Sequence, residues 1–299
     1  MRDVSVIIPS FNTRDITRDC LTSLIASMRS SSRDLSYEII VVDNASSDGS
    51  ADMLKDFAKS HADARISFIP VFNTENVGYS KGNNIGLSRA SGAYILYLNS
   101  DVVVDHVDFA ALVGKMEQEP TVGGLTVRVN LPDGAIDPAS HRGFPTIWRS
   151  MTYLTGLERT LGKIDIFKKP FGGYHLLHLN LDTEHDIDAA TGAFFMTRKM
   201  ILDRLGGFDE DYFMYGEDLD LCYRIREIGY RIVYMPEYRI THLKYKSGLS
   251  SKSEEVRART RKHFHEAMKL FYRKHYAKLH SSIVNGIMYA LIDLRSKLS

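Results

Sequence analysis

Apolar residues in the first hundred positions alternate between short continuous runs and stripes with helical spacing. The runs predict buried strands at Val4–Ile8, Glu38–Val42, Ile66–Val71 and Tyr94–Leu98. The stripes between them predict amphipathic helices around residues 16–28, 53–57 and 83–89. Such a βαβαβ series is typical of a parallel α/β sheet that is covered on both faces and binds ligands outside the carboxyl ends of its strands.

The pattern is less regular beyond residue 100. Further strands are predicted at 122–129, within 187–198, and at 231–235, where Pro236 is expected to end the strand. The intervening region 130–186 contains Trp148 and many other aromatic residues but little periodicity. A loop of this length is unusual in a compact domain unless it has a function, so we interpret it as a subregion for a partner or an acceptor substrate.

The last part of the chain is helical in pattern and basic. One apolar stripe can be followed from residue 255 to 296, and residues 252–299 contain eleven Lys/Arg and four Asp/Glu. With a net charge of +1 for the whole chain, residues 1–251 carry −6. This asymmetry argues against a nucleic-acid partner and leaves two interpretations open: the tail docks on an anionic membrane, or it packs on the catalytic body or a second subunit.

Composition places the chain among globular proteins. It has 299 residues, of which 44% are hydrophobic and 25% charged, and it lacks a run of the roughly 18 apolar residues that a membrane span needs. Cys20 and Cys222 lie far apart within apolar helical patterns, which favours buried free thiols in a reducing compartment. We therefore expect a cytoplasmic protein, peripheral on the inner membrane if the tail binds lipid.

Acidic and amide residues follow two of the predicted parallel strands, at Asp43–Asp48 and Asn99–Asp101. A third acidic group, Glu217 and Asp218, falls on the first turn of a predicted helix, where a capping role is the simplest alternative. A crevice lined by these acids would repel a phosphate-bearing ligand unless it recruits a divalent cation. Neither a P-loop nor a dinucleotide-binding glycine pattern is present.

The order of these segments resembles glycosyltransferase family 2. The similarity rests on seven segments in sequence: 5–12, 41–50, 76–79, 98–101, 192–195, 206–224 and 238–242. The resemblance implies a GT-A fold, with a nucleotide-binding parallel-sheet half fused to a mixed-sheet acceptor half. Arg142-Gly143-Phe144-Pro145-Thr146 adds similarity to bacterial rhamnosyltransferases that use dTDP-L-rhamnose.

The resemblance also implies boundaries and an activity. Residues 1–250 would form the catalytic domain, with a nucleotide-sugar half at 1–129 and an acceptor half at 130–250, followed by a basic helical tail at 251–299. The implied reaction is inverting transfer of a sugar, expected to be L-rhamnose, to a saccharide or a polyprenyl-diphosphate-linked saccharide of the cell surface. The alternatives are a UDP-sugar-dependent transferase of the same family and a non-catalytic nucleotide-sugar-binding protein. A nucleotidyltransferase is disfavoured because residues 9–13 contain no basic, glycine-rich triphosphate loop.

By the resemblance, the nucleotide would be held by polar groups at strand ends. Pro9 and Asn12 would shape the pocket, Asp43 would accept a hydrogen bond from the base, and Asn76 and Asn83 would contact base or ribose. For Asp43 the alternative is turn capping, which for Asp48 is the favoured interpretation. Lys81 would either contact the diphosphate or be a solvated helix residue.

Asn99-Ser100-Asp101 occupies the place of the family's D-x-D motif, with Asn in place of the first acid. The resemblance implies that Asp101 and His242 bind Mg²⁺ or Mn²⁺, that Asn99 contacts ribose or sugar, and that Ser100 also lies at the donor. One formal charge is missing from this motif.

The remaining roles concern the acceptor. The resemblance implies that Asp218 is the general base and that Glu217 holds acceptor hydroxyls. Asp188, Gly192 and Ala193 would contact the donor or acceptor sugar, although Asp188 could instead be a strand-end carboxylate satisfied by backbone.

Overall fold

The computed structural model describes residues 2–244 and 254–298. Within them one mixed sheet forms the centre of the protein, with strand order β3-β2-β1-β4-β8-β6-β9-β5 and β7 paired to β9. The strands are β1 (Val4–Ser10), β2 (Tyr37–Asp43), β3 (Ile66–Phe72), β4 (Tyr94–Leu98), β5 (Val102–His106), β6 (Val122–Asn130), β7 (His185–Ile187), β8 (Phe194–Arg198) and β9 (Arg231–His242). The first four strands are parallel, and β8 joins them to the second half by antiparallel pairing with both β4 and β6.

Helices cover both faces of this sheet. They are α1 (Arg14–Arg29), α2 (Ser50–His61), α3 (Tyr79–Leu87), α4 (Phe109–Gln118), α5 (Ile147–Leu154), α6 (Leu157–Thr160), α7 (Lys168–Phe171), α8 (Lys199–Leu205), α9 (Glu217–Glu227), α10 (Glu254–Phe271) and α11 (Ser282–Leu298). Because successive strand residues point to opposite faces, Val6 and Ile8 pack in the core that contains α1, α2 and α4, whereas Ile7 packs in the core that contains α8 and α9. This arrangement is the predicted doubly covered α/β architecture.

The predicted strands and helices of the first hundred residues are all present, and the two cysteines are free and buried, as expected.

The prediction that Pro236 ends a strand is wrong. β9 continues to His242 because its pairing with β6 shifts at this point, from Val127 opposite Met235 to Arg128 opposite Arg239. A bulge leaves Pro236 outside the ladder, so its missing N–H costs no hydrogen bond, and the strand carries His242 to the site.

Between β6 and β7, the region 130–186 consists mainly of short helices and turns. Two 3₁₀ turns, Leu161–Lys163 and Asp165–Phe167, connect α6 to α7. The buried carboxylate of Glu158 in α6 accepts from the backbone N–H of His175, which follows α7, at 2.9 Å. Two residues near the start of this region lie beside the sheet: Asp137 caps a short turn after β6, and Arg142 pairs through its backbone with Ala189. The region therefore contributes side chains to the strand edge where ligands were expected.

The tail is not one continuous stripe. α10 ends in a π turn at Tyr272–Tyr276, and α11 folds back so that the hydroxyl of Tyr272 donates to Asn285 Oδ1 at 2.8 Å. Phe271, Tyr272 and Tyr276 are buried against the catalytic body. Other members of the stripe are exposed: Leu279, Ile283, Ile287, Leu291 and Leu294. In the part of the chain that the structure describes, we find no helix with the length and apolar character needed to cross a membrane.

Candidate active site

The loops after β1, β2 and β4 meet at one edge of the sheet. The backbone N–H of Asn12 donates to Ser46 Oγ at 2.8 Å, and Asn12 Oδ1 accepts from the N–H of Ser47 at 2.8 Å. The hydroxyls of Thr13 and Ser100 lie 3.4 Å apart. The clusters predicted from strand ends therefore do lie side by side.

Asp43 and Asp48 both close turns in this region. Asp48 Oδ2 accepts from the first backbone N–H of α1, that of Arg14, at 2.8 Å, and its Oδ1 accepts from the N–H of Ser50 at 3.1 Å, so the turn-capping interpretation of Asp48 is confirmed. Asp43 is buried, and its Oδ2 accepts from the N–H of Ser46 at 3.1 Å. This hydrogen bond leaves other lone pairs of Asp43 available, and base recognition stays a prediction.

The other residues expected at the nucleotide differ in accessibility. Pro9 lies buried in β1, and Asn83 is fully buried in α3 with its Nδ2 donating to the carbonyl of Tyr79 at 3.0 Å. Asn76 is exposed and accepts from the N–H of Gly78 at 3.0 Å, while Lys81 is exposed on α3. Their contacts with a nucleotide remain predictions.

Asp101 and His242 lie together at the ends of β4 and β9. His242 Nε2 is 3.2 Å from Asp101 Oδ1 and 3.4 Å from Asn99 Nδ2. On the other side of the ring, His242 Nδ1 is 3.3 Å from Asp137 Oδ2. All three of Asp101, Asp137 and His242 are buried. A histidine thus bridges two carboxylates.

The contacts of His242 with Asp101 and Asp137 indicate whether these residues could bind a cation. Burial lowers the pKa of His242, but hydrogen bonds to Asp101 and Asp137 outweigh burial and raise it to about 9. With the proton of a neutral ring on Nδ1, Nε2 and Asp101 would present lone pairs to each other, so their contact requires a proton or a metal ion between them. Two adjacent ligands of an octahedral ion at about 2.1 Å stand about 3.0 Å apart, close to the observed spacing. Within residues 2–244 and 254–298 no group of three or more His, Cys, Asp or Glu could hold a metal ion. Asp101 and His242 offer two ligand atoms, and a cation held by them would take its other ligands from a bound molecule or water.

Tyr79 connects this pair to the acids of α9. Its hydroxyl lies 3.0 Å from Asn99 Oδ1 and 3.0 Å from the carbonyl of Gly192, while the N–H of Asn99 donates to the carbonyl of Ala193. Burial, followed by the charges of Glu217 and Asp218, raises the pKa of Tyr79 well above its ordinary value. The 192–193 segment, Asn99 and the α9 acids therefore surround one side chain.

Asp218 is held by an arginine from the 130–186 region. Arg142 Nη2 donates to Asp218 Oδ2 at 2.6 Å and to the carbonyl of Ala190 at 2.7 Å, and the two side chains of the pair are 10% and 15% exposed. Asp218 Oδ1 accepts from the N–H of Leu219 at 2.7 Å. Burial opposes the charge of Arg142, yet Asp218 raises the pKa of Arg142 above its ordinary value. This contact and the hydrogen bond from Leu219 fix the orientation of the Asp218 carboxylate.

Glu217 is in the opposite situation. It is 7% exposed, and its Oε2 has no hydrogen-bond partner among the residues that the structure describes. Burial and the neighbouring charge of Asp218 raise the pKa of Glu217 to about 8. At neutral pH this carboxyl is therefore mainly protonated and can donate a hydrogen bond.

Asp188 has structural partners. Its Oδ2 accepts from Arg149 Nη1 at 2.6 Å and from the N–H of Phe144 at 3.1 Å. The carboxylate therefore joins β7 to the segment that carries Arg142, and a contact with sugar remains a prediction.

Three residues of this region had no predicted role: Tyr79, Arg142 and Asp137. Tyr79 and Arg142 stand inside segments that carried the family resemblance, which was the signal available for them. Asp137 had none, because Asp before Pro is typical of any turn or short helix start.

Comparison with known proteins identifies the family. The family model described as "Glycosyl transferase family 2" matches residues 5–206, and the chain belongs to this family. It is similar to rhamnosyltransferase WbbL of Escherichia coli K12, with 27% identity over 263 residues that cover 85% of this chain and 88% of that protein. It is also similar to an N-acetylglucosaminyl-diphospho-decaprenol L-rhamnosyltransferase of Mycobacterium tuberculosis H37Rv, with 28% identity over 151 residues, 50% of this chain and 47% of that protein.

Other relatives are much longer. An uncharacterised protein, y4gI, of Sinorhizobium fredii is 27% identical over 262 residues, which are 87% of this chain but 26% of that protein. Among solved structures, a mannosyltransferase of Pyrobaculum calidifontis in complex with GDP-Man and Mn²⁺ superposes with a TM-score of 0.58 and 20% identity over 92% of this chain and 66% of that chain. The fold is the expected GT-A fold, and the chain spans only about a quarter of the length of y4gI.

Proposed function

We propose that this glycosyltransferase transfers L-rhamnose from dTDP-L-rhamnose, with inversion, to a saccharide or a polyprenyl-diphosphate-linked saccharide used in cell-surface polysaccharide. Two relatives named as rhamnosyltransferases support this donor, and one of their names includes a diphospho-decaprenol acceptor. The observation that carries the catalytic assignment is the contact of the Asp218 carboxylate with Arg142 beside the buried Glu217.

In this proposal Asp218 removes the proton of the acceptor hydroxyl while that oxygen attacks the anomeric carbon opposite the departing nucleoside diphosphate. Arg142 orients the carboxylate, which must be ionised before attack to act as a general base. Glu217 donates a hydrogen bond to an acceptor oxygen. Because attack and departure take place on opposite faces of the sugar, a single displacement inverts the configuration.

A divalent cation, Mn²⁺ or Mg²⁺, would be held by Asp101 and His242. When bound, such an ion stabilises the negative charge that develops on the leaving diphosphate. The complexes of structural neighbours with Mn²⁺ support this ion. Asn99 and Ser100 would contact the donor from the same loop, with Tyr79 fixing the amide of Asn99.

The base assignment is tested with Asp218→Asn. We expect this variant to bind donor nucleotide like wild type, in a thermal-shift titration, and to lose transfer by about 10²- to 10⁴-fold. Asp211→Asn, at an exposed carboxylate of the same segment, is the matched control and should transfer normally. Undiminished turnover of Asp218→Asn contradicts the assignment.

The donor is tested with a panel of nucleotide sugars. Ligands that bind only the folded protein raise its melting temperature, so dTDP-L-rhamnose with Mn²⁺ should give the largest shift and should be consumed in the presence of acceptor. A larger shift and turnover with a UDP-sugar would instead support a UDP-sugar-dependent transferase. Binding of donors without consumption of any would support a non-catalytic protein.

We also propose that the tail docks on an anionic membrane, where a lipid-linked acceptor would be found. Four residues of α11 support this surface: Ile283, Ile287, Leu291 and Leu294 are between 49% and 74% exposed, and the surrounding residues 252–299 are strongly basic. Each basic residue near an anionic bilayer contributes about 1 kcal/mol. Truncation is a poor test, because Phe271 and Tyr276 pack in the core.

A surface variant avoids this problem. Ile283→Ser/Ile287→Ser/Leu291→Ser should fold like wild type and lose co-sedimentation with phosphatidylglycerol vesicles, and neither protein should sediment with phosphatidylcholine vesicles. Equal sedimentation of wild type and variant with the anionic vesicles contradicts a lipid role. Wild-type dimers in sedimentation velocity that the variant does not form would assign the surface to a second copy.

A further inference from the structure

We infer that Asp137 is a positioning residue of the cation site and supplies, through His242, the negative charge that Asn99 does not. This inference rests on the proposed cation at Asp101 and His242. The loop after β4 offers one carboxylate, Asp101, beside the neutral amide of Asn99. The only other carboxylate within 4 Å of the imidazole in the described residues is that of Asp137, which comes from a different part of the chain.

Asp137 cannot act on a ligand directly. Its side chain is 1% exposed and lies behind the ring, with Oδ2 3.3 Å from His242 Nδ1 and Oδ1 accepting from Lys244 Nζ at 3.0 Å. The N–H of Ala139 also donates to Oδ1, and the N–H of Asp137 itself donates to the carbonyl of Val129. These contacts fix the carboxylate from three sides, so any effect on the cleft must pass through His242.

The physical consequence is a fixed ring orientation. A carboxylate at Nδ1 accepts its hydrogen and leaves the Nε2 lone pair directed at Asp101 and Asn99. Metal-binding histidines commonly have such a carboxylate behind them, which sets the tautomer and makes the imidazole a stronger donor, and its removal weakens metal binding about 10- to 100-fold. A merely structural role, as cap of the short turn and partner of Lys244, predicts no change in metal affinity.

The affinity for Mn²⁺ distinguishes a positioning role of Asp137 from a merely structural role. Calorimetric titration of the full-length protein with Mn²⁺ in the presence of dTDP should show about 10- to 100-fold weaker binding for Asp137→Asn than for wild type. Asp133→Asn removes the same charge from an exposed site in the same loop and should bind Mn²⁺ like wild type. Asn99→Asp/Asp137→Asn, which restores a carboxylate at the cleft, should recover at least half of the lost binding free energy.

The outcomes distinguish this inference from the proposed function. Tight binding to Asp137→Asn overturns the role of Asp137 and leaves the cation in place, whereas no Mn²⁺ binding by wild type overturns both. Histidine ¹⁵N NMR of the wild-type protein with Mg²⁺ and dTDP tests the same point without depending on the folding of a variant. It should show His242 protonated at Nδ1 alone, and protonation at Nε2 alone overturns the inference.

Discussion

The protonated state of Glu217 gives the sharpest test of the site, because it predicts how stability depends on pH. The carboxyl is buried, Asp218 lies beside it, and its Oε2 has no partner in the described part of the chain. Its pKa rises from 4.5 to about 8. Glu217→Gln keeps the shape and hydrogen-bonding capacity of the neutral acid and removes the titration.

The direction of the pH dependence follows from the linkage between proton binding and folding. Since the folded-state pKa of Glu217 lies above the unfolded value, the folded protein holds this proton more tightly. Its contribution to stability is fully present below about pH 4.5 and is lost as pH rises through about 8. With these values the wild-type protein should lose about 2 kcal/mol of unfolding free energy between pH 6 and pH 8 relative to Glu217→Gln.

Urea unfolding of both proteins at pH 6, 7 and 8 measures this difference, because all other titrating groups are common to the pair. Glu210→Gln is the matched control: Glu210 is an exposed carboxylate of the same segment that accepts from Asn84 Nδ2, and its curve should run parallel to wild type. A constant difference between wild type and Glu217→Gln across this range refutes the assignment of a neutral Glu217.

Two other predictions concern packing and reactivity. A Cβ on Gly192 would lie 2.5 Å from the hydroxyl of Tyr79, so Gly192→Ala should lower the free energy of unfolding by about 1–3 kcal/mol. Gly114 lies in α4 with no atom within 4 Å of an added methyl group, so Gly114→Ala should raise the free energy of unfolding by about 0.5–1 kcal/mol. Chemical unfolding measures both changes, and equal effects of the two substitutions contradict the predicted clash. Burial raises the pKa of Cys20 and of Cys222 to about 12, so neither thiol should react with DTNB at pH 8 in the native protein and both should react in guanidinium; rapid labelling of the native protein would contradict their burial.

The sequence predicted those parts of the fold that depend on local periodicity. β1 to β4 and α1 to α3 were indicated because each buries its apolar residues at a fixed spacing. Among the first 130 residues, two elements, β5 and α4, had not been indicated. The short β5 pairs with β9, a contact set by residues far along the chain. The course of β9 past Pro236 depended on a register shift against β6 that no local pattern records.

The candidate site also contains some features that the local sequence indicated and others that it did not. Asp101, Asp218 and His242 were indicated by order and residue type. In the structure His242 contacts Asp101 and Asn99, and Asn99 contacts Tyr79, whose pKa the charge of Asp218 helps to raise. The partners that set their charge and orientation could not be predicted.

Arg142 is 76 residues from Asp218, and Asp137 is 105 residues from His242. The local sequence of Asp137 does not differ from that of an ordinary turn. The segment of Arg142 carried the family resemblance but gave no indication of which carboxylate the arginine contacts.

The sequence by itself determined which residues form strands and helices and which polar groups follow the parallel strands, because side-chain burial along a regular backbone repeats at a fixed period. The tertiary structure alone decided which charges meet. It brought Arg142 to Asp218, left Glu217 Oε2 without a hydrogen-bond partner among the described residues, and placed Asp137 behind His242. The charge state of a buried group depends on the few ångströms around it, and those neighbours come from segments that only the completed fold brings together.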